Sequence, residues 1–277
     1  MLQKILFPVD FSASCIAMAA YVERAATIFG ATVTIAHVCD LASHNGFELY
    51  ARRGDEIAED HWNLARNRLE LFLHSRFAAG TWRRMLLAGD AASAISSVAK
   101  KGKFDLIMMP THAGRFRRML LGSTTARVLN EVDCPVLTMQ HAETATPRSA
   151  EHRRWVCAVG LSSDSERVLD YAKRVSSAAG AELSVIHAVH ACNRRSGRVV
   201  PGEEEMARHI AELQGKAGSE ATVCIATAPV KEALLNEVRE ASADVLVIGR
   251  SLRGAAERID DLTYSLVRDS PCPVVSV

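Results

Sequence analysis

Apolar residues fall along this chain in two alternating patterns. Short continuous runs, Lys4 to Val9, Thr32 to Val38, Arg83 to Leu87, Asp105 to Met109 and Val136 to Met139, are rich in β-branched residues and have the length of strands buried on both faces. Between them, Ser14 to Phe29, Glu56 to Phe77, Ala91 to Lys100 and Thr124 to Asn130 space their apolar residues for helices with one buried side. Strand, helix and strand repeated in this way predict a parallel α/β sheet with right-handed crossovers.

The pattern then recurs. Trp155 to Val159, Glu182 to Val189, Thr222 to Ala226, Asp244 to Ile248 and Val274 to Val277 read as strands. Ser165 to Ala179, Glu203 to Lys216, Val230 to Ala241 and Leu262 to Asp269 read as helices. Tyr21, Gly30-Ala31 and His37 are answered by Tyr171, Gly180-Ala181 and His187 at one constant offset, and Cys134-Pro135-Val136 by Cys272-Pro273-Val274. Such a match implies one ancestral domain duplicated and fused. A residue kept in both copies is then a candidate for structure, one kept in a single copy for chemistry. By this criterion His37 and His187, inside apolar strands, read as structural histidines.

The chain of 277 residues suits two domains, read as 1–141 and 154–277, with 142–153 as a linker that lacks any apolar period. The extra length of the first copy falls between Asp40 and Gly80. There, Ser43 to Gly54 is expected to be the most mobile stretch and to act as a lid. Ile57, Leu64, Leu69 and Phe72 are expected to give the following helix its apolar side.

Composition excludes several classes. The net charge of +1, with 48% apolar and 23% charged residues, supplies no overall field for nucleic acid or an anionic membrane. No apolar stretch approaches the roughly 18 residues of a membrane span. The first residues lack the features of a signal peptide, so the expected location is cytoplasmic. Seven cysteines, an odd number without Cys-x-x-Cys spacing, predict neither disulfides nor a zinc site.

In an open parallel sheet, ligands bind at the carboxyl ends of strands, where strand order reverses. The residues there are Asp10-Phe11-Ser12 after the first strand, Val38-Cys39-Asp40 after the second and Pro110-Thr111-His112-Ala113-Gly114-Arg115 after the fourth. Gly122-Ser123-Thr124 feeds the last helix of this copy, a small turn whose free backbone N–H groups and helix dipole suit a phosphate. Each has a plainer reading. Asp10 could be the N-cap of the following helix, His112 a solvated loop residue, and the run Arg115, Arg117 and Arg118 a solvated face.

These motifs in this order, Ile5 to Ser12, Met109 to His112, Leu120 to Ser123 and Cys134 to Leu137, resemble the universal stress protein domain over nearly the whole first half. Val247-Ile248-Gly249 and Ser270 to Val275 extend the resemblance to the second, so the chain looks like a tandem universal stress protein. The resemblance implies two Rossmann-like open parallel five-stranded sheets with flanking helices, related by a pseudo-two-fold axis. It implies the final strands, Val136 to Met139 and Val274 to Val277, side by side; homodimerisation of two such chains is left open, as is an unknown protein partner.

In many members of that family an ATP site is built around Gly-x-x-Gly and a later Gly-Ser. Carried over by position, it comprises Pro8, Val9, Asp10, Val38, Met109, Pro110, Thr111, His112, Gly114, Arg115, Gly122, Ser123 and Thr124, with ATP or a related adenine nucleotide as ligand. The chain departs from the motif at Pro110 and Ala113, which stand where glycines are usual, and its spacing to Gly122 is one residue short; Gly114 is the alternative flexible position.

The leading function is a nucleotide-binding regulatory protein of the stress response. The alternatives are a nucleotide-free interaction module and a slow ATPase, although no nucleophile elbow, paired carboxylates, metal cluster or Walker loop marks a catalytic residue. Any nucleotide is expected in the first half alone, because Gly122 and Ser123 correspond to Asp260 and Asp261, and Asp10 to Gly160.

Overall fold

The computed structural model describes residues 2–39, 54–77, 82–111, 121–140, 153–160, 164–189, 203–250, 252–253, 258–259 and 261–277. The elements of the first half are β1 (Lys4–Pro8), α1 (Ala13–Phe29), β2 (Thr32–Cys39), α2 (Gly54–Leu71), β3 (Arg83–Ala88), α3 (Ala91–Gly102), β4 (Leu106–Pro110), α4 (Ser123–Glu131) and β5 (Val136–Met139). Those of the second are β6 (Arg154–Ala158), α5 (Ser165–Ala178), β7 (Glu182–Val189), α6 (Glu203–Ala217), β8 (Thr222–Thr227), α7 (Val230–Glu240), β9 (Val245–Ile248), β10 (Leu252–Arg253), β11 (Arg258–Ile259), α8 (Asp261–Asp269) and β12 (Val274–Ser276). The α/β class and the element order agree with the periodicity. The short antiparallel pair β10–β11 has no counterpart in the sequence reading. No described helix is long and apolar enough to cross a membrane.

The chain forms two compact units, one holding Leu2–Pro135, the other Val136–Gln140 and the second half to Val277. In the first, the strands run β3-β2-β1-β4 and the pairs of β1 with β2 and β4, and of β2 with β3, are parallel. Ile5, Leu6, Phe7, Ile35 and Ile107 at its centre are fully buried, as continuous apolar strands covered on both faces require. In the second unit the order is β5-β12-β9-β6-β7-β8. β5 is grouped with the second unit. It lies antiparallel to β12, pairing Val136 with Ser276, Leu137 with Val275 and Thr138 with Val274. Leu137 and Val275 occupy corresponding places in the two copies, so this strand pair is symmetric about its middle, and each strand covers the other's edge.

Repeated contacts show which duplicated residues are structural. The Asp105 carboxylate accepts from the Gln3 and Lys4 backbone N–H groups (2.8 and 2.9 Å), and that of Asp244 accepts from Arg154 N–H (3.0 Å). His37 donates from Nδ1 to the Val9 carbonyl, and His187 to that of Val159, both at 2.8 Å. Each histidine ties the end of one strand to its neighbour, the structural role expected from its presence in both copies.

Helix α2 differs from its expectation at both its end and its face. It stops at Leu71 rather than Phe77, because the chain turns through Leu73 at φ +53°. Arg84 in β3 then takes the freed carbonyls, donating to those of Leu69, Phe72 and Phe77 at 3.0–3.2 Å. Leu69 and Phe72 face inward, whereas Leu64 is 67% exposed and lies on the opposite side from the one predicted. The expected lid, Ser43 to Gly54, lies but for Gly54 outside the described residues, as does nearly all of the expected linker.

Candidate functional site

In the first unit the chain passes from β1 to β2 on one side and from β3 across to β4 on the other. The crossovers therefore separate beside β1, leaving a crevice at the carboxyl ends of the strands. A cavity of about 210 Å³ occupies it. Pro8, Val9 and Asp10 reach it from the end of β1, Val38 from β2, Met109 and Pro110 from β4, and Gly122, Ser123 and Thr124 from the start of α4. The fold thus brings together residues more than a hundred positions apart. Thr111 is only 1% exposed and stands behind the wall, where its carbonyl accepts the Gly122 N–H at 2.8 Å. His112, Gly114 and Arg115 lie outside the described residues.

Asp10 does not cap α1. The cap is Ser12, whose Oγ accepts from Cys15 N–H at 3.3 Å. Asp10 instead accepts with Oδ1 from the Ser12 N–H (2.9 Å) and from the Cys15 thiol (3.1 Å), which fixes the carboxylate at the exposed rim and leaves Oδ2 toward donors from outside. Burial, reinforced by the negative charge of Asp10, pushes the Cys15 thiol up to about 12. Cys15 is therefore a protonated hydrogen-bond donor at neutral pH and not a nucleophile.

The opposite wall is the start of α4. Gly122 precedes the helix without a side-chain cap, so N–H groups of the first turn are left without an intrahelical acceptor. A Cβ on Gly122 would stand 3.0 Å from the Thr111 carbonyl oxygen, a tight contact, so close backbone approach by itself favours glycine here. Thr125 Oγ1 donates to the Pro110 carbonyl at 3.1 Å. Arg127 joins α4 to α3 by donating to Asp90 Oδ2 (2.7 Å) and Ser93 Oγ (3.1 Å), while Asp90 caps α3. The Arg127 guanidinium, with the Ser93 N–H, holds the exposed Asp90 carboxyl well below the usual carboxylate range.

Some residues of the site escaped the sequence reading. Cys15, Ala36, His37, Ala91, Ile95 and Thr125 also line the cavity. Ala91 and Ile95 could have been found from their i, i+4 spacing at the start of a helix following a strand. Phe11 could not. Its backbone is left-handed at φ +64°, a conformation costing about 1–3 kcal/mol for a bulky residue. Its ring lies 4.2 Å from that of His37 and 5.3 Å from that of Phe72, with the Arg68 guanidinium 4.5 Å above it. This cluster ties α2 to the rim of the cavity.

The second unit has a cavity of about 250 Å³ at the corresponding place, which includes Gly160, His187, Gly249 and Leu262. Ser165 stands there where the first has Cys15. Asp261 begins α8 where Ser123 begins α4. Among the described residues no group of three or more His, Cys, Asp or Glu is placed to hold a metal ion.

Against known proteins, the profile of the Universal stress protein family matches twice, over residues 1–140 and 151–277. A universal stress protein from Archaeoglobus fulgidus DSM 4304 has a similar structure, with TM-score 0.70 and 23% identity over 99% of this chain and 97% of that one. A functionally unknown protein from Pseudomonas aeruginosa PAO1 gives TM-score 0.63 and 15% identity over 100% of this chain and 92% of its own. At these identities the likeness concerns the fold. A universal stress protein in complex with cAMP covers 51% of this chain and 97% of its own length, at 20% identity and TM-score 0.33. Among curated proteins, no significant match is found.

Proposed function

The chain belongs to the universal stress protein family, with one matching segment in each half, and from that premise we propose that it is a regulatory module whose first domain binds an adenine nucleotide. One observation carries this reading: Asp10, Val38 and the uncapped start of α4 line a single cavity. Asp10 Oδ2 would accept from the exocyclic amine of the base, Val9, Val38 and Met109 would supply its apolar walls, and the first N–H groups of α4 would receive phosphate. Pro110 offers no N–H to a ligand, so phosphate contacts fall to Ser123 and Thr124. A cavity of about 210 Å³ is smaller than the usual pocket for a drug-sized molecule, which fits a site holding the base and ribose while the phosphates extend outward.

The domains in this reading are 1–141 and 154–277. The protein acts in the cytoplasm, with nucleotide occupancy read by a protein partner through α2, which contacts the rim at Phe11. A second reading, a nucleotide-free interaction module, is favoured by Gly122, whose lack of a side chain is accounted for by packing against Thr111.

Mass spectrometry of small molecules released from the denatured, freshly purified chain separates the two. The expected result is a stoichiometric adenine nucleotide, or, if purification strips it, saturable binding on ATP titration. Neither release nor any thermal shift with ATP, ADP, AMP or cAMP would leave the interaction module as the function.

A further inference from the structure

The wall of the first cavity formed by the start of α4 is held from two opposite sides. Thr125 and Arg127, two residues apart in the helix, lie about 200° apart around its axis. Thr125 Oγ1 ties α4 to the Pro110 carbonyl at the end of β4, at 3.1 Å. Arg127 ties it to α3, its guanidinium donating to Asp90 Oδ2 at 2.7 Å and Ser93 Oγ at 3.1 Å, and within α4 to Glu131 Oε1 at 3.3 Å. The Asp90 side is equally fixed. Its Oδ1 accepts from the Ser93 N–H and hydroxyl at 3.0 and 2.8 Å. The two helices so joined are the ones that line the cavity, through Ala91 and Ile95 of α3 and Ser123 to Thr125 of α4. Asp90 stands one residue before Ala91, and Arg127 one helical turn past Ser123.

The second unit makes the same connection from other residues and with the charges exchanged. Lys231 Nζ of α7 donates to Asp269 Oδ2 of α8, whose carboxylate also takes both ends of Arg268 at 2.7 and 2.8 Å. Ala91 and Ile95 line the first cavity as Val230 and Leu234 line the second, so Asp90 corresponds to Pro229. Arg127 likewise corresponds to Ser265 and Glu131 to Asp269, as the matching starts of α4 and α8 require. The link recurs although its residues do not. What the two copies retain is therefore the tie between the helices rather than an inherited ion pair.

Such a tie adds little to stability, because the Arg127 and Asp90 side chains are 46% and 53% exposed. Placement is another matter. Hydrogen bonds weaken steeply with distance and angle, so a small shift of α4 spoils every contact that its first N–H groups make with a ligand. Resting on the reading of the first cavity as a nucleotide site, we propose that Arg127 is a positioning residue: acting through Asp90, it holds α4 where Ser123 and Thr124 meet the phosphates. It thereby sets the preference for a phosphorylated nucleotide over its nucleoside, without touching either.

The test is a double-mutant cycle in the full-length chain, with ATP measured by calorimetry and adenosine by displacement of bound ATP. Asp90→Asn removes the charge but keeps a residue able to cap α3, and Arg127→Met removes the guanidinium but keeps the stem. Each should weaken ATP about five- to tenfold, the scale of one hydrogen bond to a charged group, and leave adenosine within about twofold. The double variant should lose no more than either single one, and Arg127→Lys, which can still reach Asp90, should recover part of the loss. A loosened fold would move both ligands. Equal losses for ATP and adenosine, additive losses in the double variant, or unchanged ATP affinity in both single variants would overturn the proposal; Asp90→Asn decides alone should Arg127→Met not fold. No binding of ATP or adenosine by the parent chain would overturn the nucleotide reading itself, and the role of Arg127 with it.

Discussion

At the carboxyl end of β1 the first unit presents Asp10, and at the carboxyl end of β6 the second presents Gly160. At the start of the last helix the first has Gly122 and Ser123, the second Asp261. Both cavities nevertheless retain a histidine bonded to the carbonyl just past the end of the preceding strand, at the same 2.8 Å. What the two share is therefore the scaffold that forms a crevice, and what they do not share is its charge. Duplication has preserved the backbone geometry while freeing the side chains that face the cavity, and these two sets of residues can be varied independently.

The same contrast extends to the helices behind the cavities. Ser184 pairs with Thr222 as Thr34 pairs with Arg83, so Val223 in β8 stands where β3 has Arg84. Arg84 holds three carbonyls at the end of α2, whereas Val223 is 37% exposed. The largest expected effect follows: Arg84→Met should destabilise the α2 region by about 2–3 kcal/mol through unsatisfied carbonyls, read as faster hydrogen exchange in α2 with α6 unchanged. Val223→Arg should stay within about 0.5 kcal/mol of the parent. Equal protection of α2 in the Arg84→Met variant would show that the three carbonyls find other partners.

Ser123→Asp copies the second half's acid into the first. It should weaken ATP binding by about tenfold or more, since each close like-charge pair costs about 1 kcal/mol in bulk water and more when partly buried. Calorimetry on the full chain decides this, and undiminished affinity would remove α4 from the site. Ser123 is a cleaner position than Gly122, where any side chain also strains the fold.

That strain is itself asymmetric. Gly122→Ala should cost about 1–2 kcal/mol, because the added Cβ meets a backbone carbonyl at 3.0 Å. Gly249→Ala should cost less, since the obstacle there is the Val168 Cγ2 methyl of a side chain at 3.1 Å and not a hydrogen-bonded backbone carbonyl. Thermal unfolding followed in both variants checks the order, and a larger loss at Gly249 would reverse it.

The last effect is chemical and leaves the fold unchanged. With its thiol pushed up to about 12, against 9.0 for an ordinary cysteine, Cys15 should react with iodoacetamide at pH 8 about a thousandfold more slowly than an unperturbed thiol. The thiolate fraction rises as pH approaches the elevated value, so the rate should keep climbing above pH 9, where an exposed cysteine levels off. Cys15→Ser, the residue found at the corresponding Ser165, should preserve the donor to Asp10. Rapid labelling of Cys15 in the native chain would contradict its buried, protonated state.

The sequence by itself determined the elements, their order and their duplication, because strands buried on both faces and one-sided helices leave local periodicities that need no knowledge of distant contacts. It also determined which residues could gather at the crevice, since the carboxyl ends of strands in a parallel sheet must converge. Only the tertiary structure decided how those residues are used. Asp10 bonds to Ser12 N–H and Cys15, not to the helix end as its cap, because Ser12 is better placed for that role. Gly122 is favoured by the close Thr111 carbonyl, and Phe11 is held at positive φ among His37, Phe72 and Arg68. The inward face of α2 and its stop at Leu71 depend on Leu73 and on Arg84, which belongs to the next strand. The assignment of β5 to the second unit depends on β12, more than 130 residues away. In each case the deciding partner is remote in sequence, and no local pattern encodes a contact whose other half has yet to arrive.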